Sequence, residues 1–159
     1  MSSTSELGFG EHAWFGEQDG DRPSERSDGA SSTRTNLAQP LVLVVDDYAD
    51  TRLLYVENLR EAGFRVIEAE NGNEAFIKAV DFLPDAVVMD LSMPHVDGWE
   101  ATRLMRGHPQ LRSVYILALS ALEGDQSRSM AFDAGCDDFA AKPLLPASLA
   151  EILRTRLER

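Results

Sequence analysis

The sequence predicts an α/β protein in which helices cover both faces of a five-stranded parallel sheet. From Pro40 onward, short apolar runs alternate with amphipathic stretches, which is the pattern of strands joined by helical crossovers. Most of the apolar runs are nearly continuous, as expected for strands that are buried on both faces. Five strand and helix pairs fit between residue 40 and the C-terminus, so we predict one doubly wound domain.

The predicted strands are the apolar runs themselves, at 41–45, 65–69, 86–89, 115–119 and 138–141. The helices between them are predicted from capping residues and helix breakers. Asp50 is expected to cap the first helix, which extends to Glu61 and ends at Gly63. Its inward-facing residues are predicted to be Leu53, Leu54, Val56 and Leu59. Asn73 is expected to cap the second helix, which ends before Pro84.

The last three helices follow from glycine and proline positions. The third is predicted to begin near Trp99 and end by Gly107, and the fourth covers 125–134 and stops at Gly135. The fifth begins around Pro146, because a proline in the first helical turn costs no hydrogen bond. The apolar stripe of this last helix is formed by Leu149, Ile152, Leu153 and Leu157.

Residues 1–39 differ in composition from the rest of the chain. Ser, Gly, Asp and Glu dominate there, and no helical or strand period fits. We therefore predict a disordered acidic N-terminal arm over 1–39 and one folded domain over 40–159. A short apolar and aromatic cluster between Leu7 and Phe15 has two interpretations, a partner-docking segment or an incidental tail. No DNA-binding or catalytic output domain is expected after the folded domain.

Composition excludes several functional classes. Acidic residues outnumber basic ones by 27 to 15, giving a net charge of −12. This balance argues against nucleic acid as a partner, because affinity for a phosphate backbone depends mainly on Lys and Arg. The longest strictly apolar run, 114–119, is far shorter than the roughly 20 residues that span a bilayer, so no membrane partner is expected. The single Cys136 and the lack of a signal sequence predict a reducing cytoplasmic location.

Four of the predicted strands lead directly into residues that can perform chemistry. Asp46 and Asp47 follow the first strand, Asp90 the third, Ser120 the fourth and Lys142 the fifth. Ligands of open parallel sheets bind outside the carboxyl ends of the strands, so these side chains are predicted to converge. The second strand contributes no such residue, which agrees with a position for it at the outside of the sheet.

Three converging carboxylates repel one another unless a cation lies between them, and Mg²⁺ suits an oxygen-rich site of this kind. We predict Asp47 and Asp90 as direct ligands, Asp46 as the holder of a metal-bound water, and a backbone carbonyl after Asp90 as a further ligand. Ser120 and Lys142 can donate to the oxygens of a phosphoryl group beside the metal. Asp90 is the best-placed nucleophile for forming an aspartyl phosphate.

These residues stand in motifs that resemble the receiver domain of two-component response regulators, of the single-domain kind typified by CheY. The motifs are LVLVVDD, VVMDLSMPHVDGWE, LALSA and GCDDFAAKP, and the resemblance extends from about Leu41 to the C-terminus. It implies a flavodoxin-like sheet with strand order 2-1-3-4-5 and five helices. Two departures are mild: Ser120 stands where Thr is commoner, and Phe139 where Tyr is commoner.

The resemblance also implies a role for each matching residue. Asp90 would be the phosphoacceptor. The metal site, for Mg²⁺ or Mn²⁺, would be formed by Asp46, Asp47, Asp90 and the backbone carbonyl of Ser92. The phosphoryl-stabilising and switch residues would be Ser120, Lys142 and Phe139, and the small residue that leaves the path to the phosphoryl group open would be Ala121.

The function implied is a phosphorylation-dependent signalling module. The phosphoryl donor would be a histidine kinase or a histidine phosphotransferase, and a downstream protein would bind the face made by the fourth helix, fifth strand and fifth helix. Enzyme activity is expected only as Mg²⁺-dependent autophosphorylation and autodephosphorylation. Two alternatives remain at this stage. A haloacid-dehalogenase-type phosphatase would carry an acid two positions after its nucleophile, where this chain has Ser92, and a scaffold-only pseudo-receiver would typically have lost a member of the acidic site.

Overall fold

A computed structural model describes residues 39–93, 98–121 and 124–158 of the chain. The predicted arm, apart from Gln39, lies outside the described residues. The strands are β1 Leu41–Val45, β2 Arg65–Ala69, β3 Ala86–Asp90, β4 Tyr115–Ser120 and β5 Asp138–Ala141. The helices are α1 Ala49–Glu61, α2 Gly72–Phe82, α3 Gly98–Gly107, α4 Asp125–Ala134 and α5 Pro146–Leu157.

The strands form a single parallel sheet in the order β2-β1-β3-β4-β5, which confirms the predicted fold. Side chains alternate along each strand, so the sheet supports a separate core on each face. One core packs strand residues such as Leu43 and Met89 against Ala75, Ala101 and Ala131 of α2, α3 and α4. The other packs the remaining strand residues against α1 and α5, and its largest helical members are Tyr55, Leu59, Leu149 and Leu153. Each helix therefore has a fixed place relative to the strand ends.

Strands β3 and β4 are each one residue longer than predicted. Asp90 is the last residue of β3 and pairs with Leu119, and Ser120 is the last residue of β4 and pairs with Ala141. Both had been expected in the loops that follow the strands. Because each is part of a hydrogen-bonded ladder, the backbone of these two residues is fixed by the sheet rather than by a loop.

The predicted inward face of α1 is partly wrong. Leu53 and Leu54 are 53% and 52% exposed, whereas the buried residues of the helix are Tyr55, Val56 and Leu59. A helix buries one stripe of residues spaced three and four apart. Leu53 and Leu54 lie on the flanks of that stripe, outside the part of α1 that packs against β1, β2 and α5.

The first two helices also begin earlier than predicted. The residue before α1 is Tyr48, so Asp50 lies within the first turn, where its charge still favours the helix dipole. The cap of α2 is Asn71 rather than Asn73: its side-chain oxygen accepts a hydrogen bond from the Glu74 N–H at 2.8 Å. Glu74 lies three residues after Asn71, which is the spacing of a capping box. The predicted ends at Gly63 and Gly135 are confirmed, and both glycines have positive φ.

Candidate functional site

The carboxyl edge of the sheet brings three carboxylates together. Asp46 follows β1 and Asp90 ends β3, and both are buried, with 2% and 4% of their surface exposed. Asp47 is exposed. One carboxylate oxygen from each of the three lies within 4.8 Å of the others. We call this group the acidic site.

Asp46 is held on three sides by the backbone and by α1. Its N–H donates to the Ala69 carbonyl at 3.1 Å, and its carbonyl accepts from the Arg52 guanidinium at 2.7 Å. Its carboxylate oxygen Oδ1 accepts from the Tyr48 N–H at 2.9 Å. The guanidinium of Arg52 also binds Glu68 on β2 at 2.9 Å. The end of β1 is therefore fixed to both α1 and β2, which leaves Oδ2 of Asp46 facing the acidic site.

Asp90 is the carboxylate whose ionisation the fold opposes. Burial raises the pKa of Asp90 above its usual value, although a hydrogen bond from the Ser92 N–H at 2.9 Å and the charge of Lys142 lower it. The nearby carboxylate of Asp46 raises it further. The Asp90 carboxylate is thus less stabilised here than in water, and a bound cation would relieve that cost.

Lys142 provides the positive charge at the acidic site. Its ammonium lies 2.9 Å from Oδ2 of Asp46 and 3.4 Å from Oδ2 of Asp90. Burial tends to lower the pKa of Lys142, but the hydrogen bond to Asp46 and the charges of both carboxylates raise it above its usual value. The side chain is therefore a protonated donor at neutral pH. Its backbone N–H donates to the Ser120 carbonyl at 2.8 Å, which fixes the end of β5 to the end of β4.

The remaining predicted residues lie around these charges. Ser120 is fully buried at the end of β4, and Ala121 after it is exposed. Phe139 on β5 is partly buried and packs against the core that contains Met89. Ser92 is exposed. The backbone N–H of Ser92 binds Asp90, while the role of its carbonyl as a metal ligand stays a prediction.

Gly98 has a role at this site that the sequence did not show. It is the first residue of α3 and packs directly against the end of β3. A Cβ at this position would overlap the Asp90 carbonyl oxygen and lie 2.9 Å from the Leu91 Cα. Only glycine allows α3 to approach this closely, and the one hint in the sequence was its position eight residues after Asp90.

The donor set fits a hard divalent cation. Three carboxylates face one ammonium, so the acidic site keeps an excess of negative charge. Oxygen ligands that include one or two carboxylates and leave room for water suit Mg²⁺. The exposure of Asp47 leaves the acidic site open to solvent, which gives a hydrated ion access.

The motifs and geometry agree with comparisons to known proteins. Residues 42–154 match the family model described as response regulator receiver domain. This chain belongs to that family. Receiver domains are the signal-receiving modules of two-component systems, in which they interact with histidine kinases and with downstream targets. Among the described residues, no helix is long and apolar enough to cross a membrane.

Individual relatives give the same result. The chain is 35% identical over 125 residues to the transcriptional regulatory protein PrrA of Mycobacterium tuberculosis. The matched region covers 79% of this chain and 53% of PrrA. It thus spans about half the length of such curated relatives. The chemotaxis protein CheY4 of Vibrio cholerae superposes with a TM-score of 0.72 at 29% identity, covering 76% of this chain and 100% of CheY4.

One solved relative contains a metal ion. The receiver domain of the sensor histidine kinase PA1611 from Pseudomonas aeruginosa PAO1 is described with a magnesium ion coordinated in its active site cleft. It superposes on this chain with a TM-score of 0.67 at 35% identity, covering 74% of this chain and 97% of that domain. The acidic site of the present protein is consistent with the same class of ligand.

Proposed function

We propose that this receiver domain accepts a phosphoryl group on Asp90 and signals through the resulting change in its surface. The observation that carries the proposal is the meeting of Asp46, Asp47, Asp90 and Lys142 at the carboxyl edge of the sheet. A carboxylate nucleophile beside a donor cation and a metal-binding set is what phosphoryl transfer requires.

In the proposed reaction, a carboxylate oxygen of Asp90 attacks phosphorus and forms the new O–P bond. The N–P bond of a phosphohistidine breaks, and its electron pair leaves with the imidazole. Lys142 and the Ser120 hydroxyl donate to the phosphoryl oxygens as charge develops on them. Mg²⁺ or Mn²⁺, held by Asp46, Asp47, Asp90 and the Ser92 carbonyl, would supply further neutralisation of the phosphoryl charge.

The donor proposed is a histidine kinase or a histidine phosphotransferase, because these are the partners of the family. The proposed activity is limited to the protein's own phosphorylation and dephosphorylation. A phosphatase acting on external phosphomonoesters is disfavoured by Ser92, which stands where that chemistry would need an acid. An assay with phosphomonoesters is therefore expected to show no turnover.

The signal would be transmitted by Ser120 and Phe139. The phosphoryl group adds about −1.5 to −2 charges at the acidic site, and this changes the surface only if one arrangement of nearby residues binds it better. Ser120 is buried at the end of β4, and Phe139 on β5 pairs with Ala118, which lies two residues before Ser120 on the same face of the sheet. We propose that the two move together and remodel the face formed by α4, β5 and α5, to which a downstream protein binds.

The test is phosphorylation of the full chain by a phosphorylated histidine kinase or by a small acyl phosphate, with and without Mg²⁺. Intact mass is expected to increase by one phosphoryl group only when Mg²⁺ is present, and Asp90→Asn is expected to abolish the increase. The control is Asp81→Asn, which removes an exposed carboxylate on α2 and should be labelled like the wild type. Labelling of Asp90→Asn at the wild-type rate would refute the proposal.

A further inference from the structure

We propose that Tyr55 is a positioning residue for phosphoryl transfer, because its hydroxyl fixes the segment that carries Lys142. This inference rests on the proposed function. Tyr55 lies in α1 and is not one of the carboxylates or donors of the acidic site described above. Its effect would therefore be exerted through Lys142.

The inference rests on a hydrogen bond between two residues that are far apart in the sequence. The Tyr55 hydroxyl donates a hydrogen bond to the Leu144 carbonyl at 2.8 Å, between residues 89 positions apart in the sequence. Leu144 is two residues after Lys142, in the connection between β5 and α5. Tyr55 is 4% exposed, so water cannot easily replace this hydrogen bond.

The connection after β5 thus has two anchors of different origin. On one side of Lys142, its own N–H binds the Ser120 carbonyl of β4 at 2.8 Å. On the other side, Leu144 is held by Tyr55 of α1. The connection itself, between Ala141 and Pro146, contains no helix or strand residue that could fix its backbone. Loss of the second anchor would leave the backbone after Lys142 held only by the packing of the Leu144 side chain, which fixes its position less precisely than a hydrogen bond does.

The same helix fixes the opposite wall of the acidic site. Arg52, three residues before Tyr55, donates to the Asp46 carbonyl at 2.7 Å. One turn of α1 therefore holds both the strand end that carries Asp46 and the segment that carries Lys142, and their ion pair is 2.9 Å long. Tyr55 is also within electrostatic reach of the acidic site: burial raises its pKa, and the nearby charge of Lys142 opposes this rise.

A purely structural role for Tyr55 makes a different prediction. The aromatic ring packs in the core between the sheet and α5, and phenylalanine would fill that space almost equally well. If packing were its only role, removal of the hydroxyl would affect stability but not the transfer step. The two roles are therefore separated by a substitution that keeps the ring.

The experiment compares Tyr55→Phe with Tyr115→Phe in the full chain. Tyr115 is a matched control, since its hydroxyl also makes one hydrogen bond, to Asp138 at 2.7 Å, but at the first residue of β4 and away from Lys142. The rate of Asp90 phosphorylation by a small acyl phosphate is measured by intact mass at saturating Mg²⁺. Magnesium affinity is measured by calorimetry, and stability by urea unfolding.

Tyr55→Phe is expected to reduce the phosphorylation rate by about two- to tenfold, because a Lys142 ammonium held less precisely would donate less well to the phosphoryl oxygens in the transition state. Its Mg²⁺ affinity should stay within about twofold of the wild type, because the carboxylates are unchanged. Tyr115→Phe should leave both quantities unchanged. A rate for Tyr55→Phe equal to that of Tyr115→Phe, or a loss of Mg²⁺ affinity as large as the loss of rate, would overturn the inference.

The outcome is distinct from a failure of the proposed function. If the wild-type protein is not phosphorylated on Asp90 at all, the proposed function is wrong and the inference falls with it. If the wild type is phosphorylated and Tyr55→Phe reacts equally fast, the proposed function stands and only the positioning role is wrong.

Discussion

At the amino edge of the sheet the Arg106 guanidinium is surrounded by acceptors, whereas at the carboxyl edge the Lys142 ammonium is shared by two buried carboxylates with a third beside them. The guanidinium of Arg106, at the end of α3, donates to the carbonyls of Val114 and Gly135, each at 2.7 Å. It also pairs with Asp137 at 2.7 Å, and the same oxygen of Asp137 accepts from the Ile116 N–H. Arg106 and Asp137 thereby fix the segments that lead into β4 and β5, and both charges have partners.

The carboxyl edge lacks this balance. Lys142 contacts Asp46 and Asp90 at 2.9 and 3.4 Å, and Asp47 lies beside them in solvent. Charges that are fully paired with backbone groups stabilise a fold, while an excess of one sign reduces stability and prepares a surface for a ligand of the other sign. Paired charges thus stabilise the amino edge, whereas the excess of negative charge at the carboxyl edge suits a cation.

The largest effect is expected at the amino edge. Arg106→Met removes the guanidinium donor from several carbonyls and from the Asp137 carboxylate, which keeps only the Ile116 N–H, so it should lower the free energy of unfolding by about 3 kcal/mol. Urea unfolding measures this loss. The control is Arg103→Met on the same helix, because the Arg103 side chain is 54% exposed and its ion pair with Glu100, at 3.4 Å, lies at the surface. That change should cost less than about 0.5 kcal/mol. Equal losses for the two variants would show that the amino edge is not stabilised in this way.

A second test uses the two ends of α3, which begins at the carboxyl edge and ends at the amino edge. Gly98→Ala places a methyl group against the Asp90 carbonyl and should lower the free energy of unfolding by about 2 kcal/mol. It should also weaken Mg²⁺ binding in calorimetry, because the end of β3 must shift. Gly107→Ala is the matched control: among the described residues, and apart from its own helix backbone and chain neighbours, nothing lies within 4 Å of its Cβ position, so Mg²⁺ affinity should not change. Unaltered Mg²⁺ affinity in Gly98→Ala would mean that the close approach does not position Asp90.

The strands were predictable from the sequence because burial on both faces leaves a nearly continuous apolar run, as in β1 and β3. The convergence of Asp46, Asp90 and Lys142 followed from strand ends alone, since parallel strands share one carboxyl edge. The face of α1 was not predictable in the same way. Leucines occupy both the flank and the centre of its apolar stripe, so the pattern did not distinguish Leu54 from Tyr55.

Long-range side-chain contacts at the two edges of the sheet were also hidden from the sequence. The bond from Tyr55 to Leu144 joins residues 89 positions apart, and that from Arg106 to Gly135 joins residues 29 apart. In each case the acceptor is a backbone carbonyl, which every residue possesses, so no side-chain motif marks the partner. Such contacts depend on how helices pack on the sheet, and they become visible only once the helices are placed.

The smallest expected effect is that of a substitution at Asp90, at the carboxyl edge. Unlike the substitutions above, it should raise the free energy of unfolding. Burial raises the pKa of Asp90 in the folded protein, with the Ser92 N–H and Lys142 opposing the rise. The folded state therefore binds this proton more tightly than the unfolded chain does, so ionised Asp90 lowers stability at neutral pH. Asp90→Asn should raise the free energy of unfolding by about 1 kcal/mol at pH 7 without metal.

The pH dependence of this gain follows from the same linkage. As pH falls through the folded-state pKa of Asp90, the wild-type carboxyl takes up its proton and the cost of its charge disappears, so the advantage of Asp90→Asn should shrink. Saturating Mg²⁺ should favour the wild type instead. Mg²⁺ binding stabilises the folded state, and the variant has lost a carboxylate proposed to coordinate the ion. Urea unfolding across pH, with and without Mg²⁺, measures both effects. A variant less stable than the wild type at pH 7 without metal would show that charge excess at the carboxyl edge does not oppose folding.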